Sequence, residues 1–271
     1  MRYYIISGEA SGDLHGSNLI KELKKKDTGA DIRCWGGDKM EAAGANLVKH
    51  YKELAFMGFL EVIKNLRTIL KNIKFCKEDI LQYKPTAIIL IDYPGFNLRI
   101  AKWAKQQGIK VIYYISPQVW AWKENRVKLI KECVDKMLVI LPFEKEFYKK
   151  WNYEVEYVGH PLVEVVDEFL LSSNKNPVSG IKYQLPENTI ALLPGSRQQE
   201  ILKKLPIMLE VAKHFPDYQF VVAKAPGLDE SFYASLLAPY KNVSSVVNKT
   251  YELLVQSKAA LVTSGTATLE T

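Results

Sequence analysis

Tyr3-Tyr4-Ile5-Ile6-Ser7-Gly8-Glu9-Ala10-Ser11-Gly12-Asp13 is the stretch on which the reading of the fold turns. An apolar run passes directly into a polar turn flanked by glycines, and a helical pattern follows to about Lys26. Strand, glycine turn and helix in that order open a parallel α/β sheet, and such proteins set their chemistry at the carboxyl ends of the strands. Gly8, Ala10, Ser11, Gly12 and Gly16 are small enough for a ligand or a neighbouring backbone to come close. Asp13 falls in the first helical turn, where the helix dipole favours a carboxylate. Spacing alone slightly favours a tight turn without a ligand, since the pattern is not the G-x-G-x-x-G of dinucleotide sites.

Outward from this unit, short apolar runs recur between amphipathic stretches at 32–35, 87–91, 111–115 and 137–141, then at 190–193, 220–223 and 259–262, and a further strand is expected at 155–158 ahead of His160. Their alternation with helices is the pattern of parallel strands buried on both faces. Polar and turn residues at 171–180 break the pattern, so two Rossmann-like domains are expected at 1–170 and 186–271, joined by a linker at 171–185. The second domain is expected to be incomplete. After a strand at 259–262 and a turn at 263–266, residues 267–271 open a helix and the sequence stops, whereas isolated helices shorter than about 12 residues are marginal.

With 271 residues, 48% hydrophobic and 25% charged, the chain can bury a sizeable core, and disorder is not indicated. Cys34, Cys76 and Cys133 are odd in number and far apart, which suggests neither disulfides nor a zinc site and fits a reducing cytoplasm. The apolar run after Met1 is too short for a signal peptide, and no stretch approaches the roughly 20 apolar residues of a spanning helix. A net charge of +7 favours an anionic partner. No interleaved aromatic RNA motif, zinc-finger spacing or long basic arm is present, so nucleic acid is a poor second to lipid or nucleotide. His15, His50, His160 and His214 lack any metal-ligand spacing, and no metal or cofactor is expected. His15 and His160 read equally as structural residues and receive no proton-transfer role.

Together with Ile91-Asp92-Tyr93-Pro94-Gly95-Phe96-Asn97, Ser116-Pro117-Gln118-Val119-Trp120-Ala121-Trp122, Gly159-His160-Pro161, Leu193-Pro194-Gly195-Ser196-Arg197 and Ser264-Gly265-Thr266-Ala267-Thr268-Leu269-Glu270, the opening turn closely resembles the lipid-A-disaccharide synthase family. The motifs stand in the family's order from end to end of the chain. The resemblance implies an α/β protein of the GT-B architecture and an inverting glycosyltransferase. Such an enzyme moves 2,3-diacylglucosamine from its UDP donor to the 6-hydroxyl of a 2,3-diacylglucosamine 1-phosphate acceptor. The implied products are UDP and the β-1,6 lipid A disaccharide, made at the anionic surface of the inner membrane. Family members run on past Thr271, and substrate contacts are implied for Gly8, Glu9, Ser11, Gly12 and Asp13.

Asp92 ends an apolar run and precedes Pro94-Gly95, a turn that aims its carboxylate out of the sheet edge. A carboxylate near apolar neighbours can rise toward neutrality in pKa and take a proton from a sugar hydroxyl, whereas capping a helix that starts near Asn97 is the plainer alternative. The resemblance makes Asp92 the expected catalytic base. Gly195 and Ser196 open a helix whose free amides attract a phosphate, and Arg197 can grip two phosphate oxygens or pair with Glu200. Ser264, Gly265 and Thr266 form a third such turn, with Glu270 reading as a ribose partner or a helix-dipole partner. Trp120 and Trp122, beside Lys123 and Arg126, read evenly as core or as a pocket for an acyl sugar phosphate.

At residues 59–75, Phe59, Ile63, Leu66, Leu70 and Ile73 recur at spacings of four and three, widened by Val62 and Ile69 and flanked by Lys64, Arg67, Lys71 and Lys74. An apolar face edged by cations suits an anionic membrane surface, although a core-facing helix has the same period. The apolar residues just ahead, Met57 among them, favour the membrane. The rival expectations are a UDP-sugar epimerase of the same architecture and a lipid-binding module or inactive fragment.

Overall fold

The computed structural model describes residues 1–54, 66–175, 184–196, 198–225, 228–263 and 265–271. Contacts divide the chain into two compact units, Met1–Pro161 and Leu162–Thr271, each built on its own parallel sheet. In the first, β1 (Arg2–Ser7), β2 (Asp31–Gly36), β3 (Asn46–His50), β4 (Ala87–Ile91), β5 (Lys110–Tyr114), β6 (Lys136–Val139) and β7 (Glu156–Tyr157) lie in the order β3-β2-β1-β4-β5-β6-β7. The helices between them are α1 (Ala10–Lys26), α2 (Asp38–Ala42), α3 (Leu66–Tyr83), α4 (Pro94–Gln106), α5 (Arg126–Cys133) and α6 (Glu144–Lys149).

The unbroken apolar runs of β1 and β4 follow from burial on both faces. Tyr4, Ile6, Ile88 and Leu90 enter one core with Ile73, Cys76 and Ile80 of α3 and Ile100 and Ala104 of α4. Ile5, Ile89 and Ile91 enter the opposite core with Ile20 of α1 and Met40 of α2. Each fully buried aliphatic side chain contributes about 1.5–3 kcal/mol, which ties both helical layers to the sheet.

The second unit opens at the second residue of α7 (Pro161–Lys175) and continues through β8 (Thr189–Leu193), α8 (Gln198–His214), β9 (Gln219–Lys224), α9 (Glu230–Leu237), β10 (Val243–Val247), α10 (Thr250–Gln256), β11 (Ala259–Val262) and α11 (Thr266–Glu270). Its strands lie in the order β10-β9-β8-β11. Leu192, Phe220 and Val222 pack on Ile201, Leu205 and Leu209 of α8, while Ala191, Leu193 and Val221 pack on Leu253 of α10. Helix α7 runs into the stretch expected as a linker, and Phe169 on it lies 5.4 Å from the ring of Tyr251.

Edge strands β3 and β10 escaped the hydrophobic reading because polar residues break their runs: Leu47 and Val48 stand between Asn46 and Lys49, and Ser244 and Ser245 part Val243 from Val246 and Val247. The helix expected over 59–75 is described only from Leu66 and runs on to Tyr83, so Met57, Phe59, Ile63 and Lys64 lie outside the described residues, as does the side chain of Leu66. Its apolar face is corrected in one respect. Ile69 and Ile73 belong to the core, in register with Cys76 and Ile80 at helical spacing, whereas Leu70 stands 53% exposed among exposed Arg67, Lys71 and Lys74. Among the described residues no helix is long and apolar enough to cross a membrane.

Candidate active site

Chain order runs in opposite directions from β1 and β4, so their adjacent carboxyl ends frame a topological switch point, the place where open α/β sheets hold ligands. Asp92 stands there, half-buried, at the end of β4. It and Tyr93 are consecutive non-glycine residues with left-handed backbones, φ 43° and 50°. Pro94 then starts α4 at its first position, where its fixed φ suits a helix, so the helix begins earlier than the reading from Asn97 placed it. Asn97 is instead fully buried, and its Nδ2 donates to the carbonyls of Ile91 (3.2 Å) and Asp92 (2.7 Å). The Tyr113 hydroxyl donates to the same Asp92 carbonyl at 2.5 Å, and burial holds that phenol protonated, its pKa far above the ordinary value. The Asp92 amide donates to the Ile115 carbonyl at 3.3 Å.

On the β1 side, Gly8 is buried against Tyr93 and Glu9 is the half-buried N-cap of α1. Burial, then the Glu9 charge, raises the Tyr93 phenol pKa. Ser11 is half-buried, and Gly12 lets α1 approach β1, since a Cβ there would come 2.8 Å from that of Ser7. Asp13 is 3% exposed and accepts from the amides of Gly37 (2.8 Å), Met40 (3.0 Å) and Lys39 (3.2 Å). Its carboxylate thus caps α2 inside the fold. His15, two residues later, is 7% exposed with a buried Nδ1 that has no hydrogen-bond partner. Burial, assisted by the charge of His160, lowers its pKa to about 4.

The loop after β5 also bends through unusual backbone, with φ 65° at Ile115 and 64° at Lys123. A left-handed β-branched residue is a strained one, and such strain gathers at functional sites. Trp120 packs edge-on to Phe143 with centroids 5.0 Å apart. Trp122 is 65% exposed, with the Lys123 ammonium 5.3 Å from its ring, so it is no part of the core. Arg126 is half-buried at the start of α5. Beneath the loop, Ser116 and Tyr148 hydroxyls lie 2.7 Å apart, and the buried Glu144 carboxylate accepts from the amides of Ile140 and Leu141. Burial raises the Glu144 pKa despite those bonds.

In the second unit the switch point lies between β8 and β11. Gly195 has φ 108°, and a Cβ there would come 2.3 Å from Oε2 of Glu200, while Ser196 is exposed. Gly265, with φ 146° and open space where a Cβ would stand, caps α11. Thr263 follows β11 nine-tenths buried, its hydroxyl without a partner. Arg197 and Ser264 lie outside the described residues, as do the side chains of Thr266 and Glu270. Among the described residues, no group of three or more His, Cys, Asp or Glu is placed to hold a metal ion.

A family model described as lipid-A-disaccharide synthetase matches residues 3–271. A lipid-A-disaccharide synthase of Syntrophus aciditrophicus is 40% identical over 98% of this chain and 71% of its own length. That of Geobacter metallireducens is 41% identical over 99% of this chain and 71% of its own. The chain belongs to the lipid-A-disaccharide synthase family. Membership makes it a glycosyltransferase and sets aside the epimerase reading. Solved UDP-GlcNAc 2-epimerases do share the fold: one from Neisseria meningitidis aligns with TM-score 0.68 and 17% identity, covering 98% of this chain and 78% of that one. Another, from Methanocaldococcus jannaschii, aligns with TM-score 0.69 and 14% identity, covering 100% and 81%.

Sequence reasoning for this lipid-A-disaccharide synthase relative missed Tyr113, Glu144 and Thr263, and used Asn97 only to mark the expected start of a helix. Tyr113 sits in an apolar run and Glu144 in a charged helix start, so neither departs from the pattern around it. Only Asn97, polar within an apolar helix face, carried a signal.

Proposed function

We propose that this protein transfers 2,3-diacylglucosamine from its UDP donor to the 6-hydroxyl of 2,3-diacylglucosamine 1-phosphate. Asp92 is the base: its carboxylate takes the hydroxyl proton as the oxygen bonds to the anomeric carbon from the face opposite the diphosphate. The anomeric carbon–oxygen bond breaks with its electron pair going to the diphosphate, UDP leaves, and configuration inverts to β. Family membership supports the substrates. The observation that carries the role of Asp92 is its strained, left-handed position at the switch point, just past the paired ends of β1 and β4 at Ser7 and Ile91.

Residues 1–170 serve the acceptor and the membrane, and 186–271 the UDP-sugar. Arg197, with Gly195, Ser196, Ser264, Gly265, Thr266 and Glu270, holds the nucleotide, where a guanidinium stabilises charge developing on the leaving diphosphate. Exposed Trp122, Lys123 and half-buried Arg126 suit the phosphate and acyl groups of the acceptor. Arg67, Leu70, Lys71 and Lys74 suit an anionic lipid surface.

Asp92→Asn in the full-length protein is the test. Loss of a general base lowers turnover about 100- to 10,000-fold while UDP affinity, read by calorimetry, stays near wild type. Near-normal turnover would sink the assignment.

A further inference from the structure

Two fully buried polar side chains from different elements converge on one backbone carbonyl, that of Asp92. Tyr113 reaches it from β5 at 2.5 Å and Asn97 from α4 at 2.7 Å, and both residues are 0% exposed. A buried hydroxyl or amide is unfavourable without a partner, and phenylalanine would fill the strand position of Tyr113 without that requirement. The Asp92 amide is held as well, by the Ile115 carbonyl at 3.3 Å. The residue so gripped has φ 43°, a conformation a non-glycine residue keeps only when its surroundings over-determine it.

We propose that Tyr113 and Asn97 are positioning residues that lock Asp92 in its left-handed conformation and so fix where its carboxylate stands. Their contact is with the Asp92 carbonyl and not with its carboxylate, so they act on catalysis by placing Asp92. The proposal rests on the reading of Asp92 as the base. Misplacing a catalytic group by about 1 Å costs on the order of 100-fold in rate.

Tyr113→Phe removes the hydroxyl and keeps the ring. In the full-length protein it is expected to lower kcat about 10- to 100-fold, with KM for the UDP donor within about twofold of wild type. The decisive measurement is a double-mutant cycle with residual turnover followed by radiolabelled donor. In an Asp92→Asn background, adding Tyr113→Phe is expected to cost nothing more. An equal loss in both backgrounds would make Tyr113 merely structural, and wild-type kcat in Tyr113→Phe would equally overturn the clamp. Should Tyr113→Phe fail to fold, Asn97→Ser runs the same cycle with the same outcomes. Wild-type turnover in Asp92→Asn alone is a separate result that overturns the base and the clamp together.

Discussion

Gly8 and Tyr93 interlock across the switch point: a Cβ on residue 8 would lie 2.4 Å from Cγ of the Tyr93 ring. The glycine at the end of β1 therefore serves packing against the residue that follows Asp92. The two glycine-bearing motifs, far apart in sequence, form one structural joint.

Gly8→Ala should force the Tyr93 ring aside and disturb Asp92 with it. Overpacking of this kind costs about 1–3 kcal/mol, so thermal unfolding should fall by several degrees and turnover should drop with it. A variant that melts and turns over like wild type would show that the ring yields freely.

Asp13 offers a test between a structural carboxylate and a substrate ligand. Its oxygens already accept from three amides at the start of α2. Asp13→Asn places an NH2 group against those donors and should destabilise the protein by about 1–3 kcal/mol, read in urea unfolding. Unchanged stability with weakened substrate affinity would assign the carboxylate to the ligand instead.

His15 gives the protein a pH dependence of defined sign. An unfolded histidine takes up its proton near pH 6.5, whereas burial, aided by His160, holds the folded side chain neutral down to about 4. The unfolded state binds more protons in that window, so the contribution is complete above pH 6.5 and is lost as pH falls through 6.5 toward 4. The loss is on the order of 3 kcal/mol. His15→Asn should flatten unfolding free energy against pH in that window, and equal slopes for both proteins would remove His15 as the source.

The parallel sheets were legible because β1, β4 and β5 lie between two cores and carry continuous apolar runs. β3 and β10 were not, since Asn46, Lys49 and His50 in the one and Ser244 and Ser245 in the other leave no apolar run of strand length. At the site, Asp92 and Gly8 could be read because a turn after an apolar run shows in sequence. The hold on Asp92 could not, because Tyr113 meets it across neighbouring strands and nothing in local composition distinguishes its hydroxyl. The three-four period at 59–75 likewise does not tell which apolar residues face the sheet, and Ile69 and Ile73 went to the core.

The exposed side of α3 carries the membrane proposal, and its cations are a cleaner probe than its apolar residues. Arg67, Lys71 and Lys74 are exposed beside Leu70; the Lys74–Glu78 pair at 3.8 Å is a surface contact of little energy. Ile69 or Ile73 would be a poor choice, because both pack in the core and their loss damages the fold under any reading. Each basic residue near an anionic surface contributes about 1 kcal/mol, so changing Arg67, Lys71 and Lys74 to glutamine should lower vesicle partitioning more than tenfold. Binding that remains should depend less on salt, since fewer charges are left to screen. The comparison is co-sedimentation with phosphatidylglycerol-containing vesicles, with circular dichroism confirming the fold. Equal co-sedimentation of wild type and variant would return α3 to a purely core-facing role.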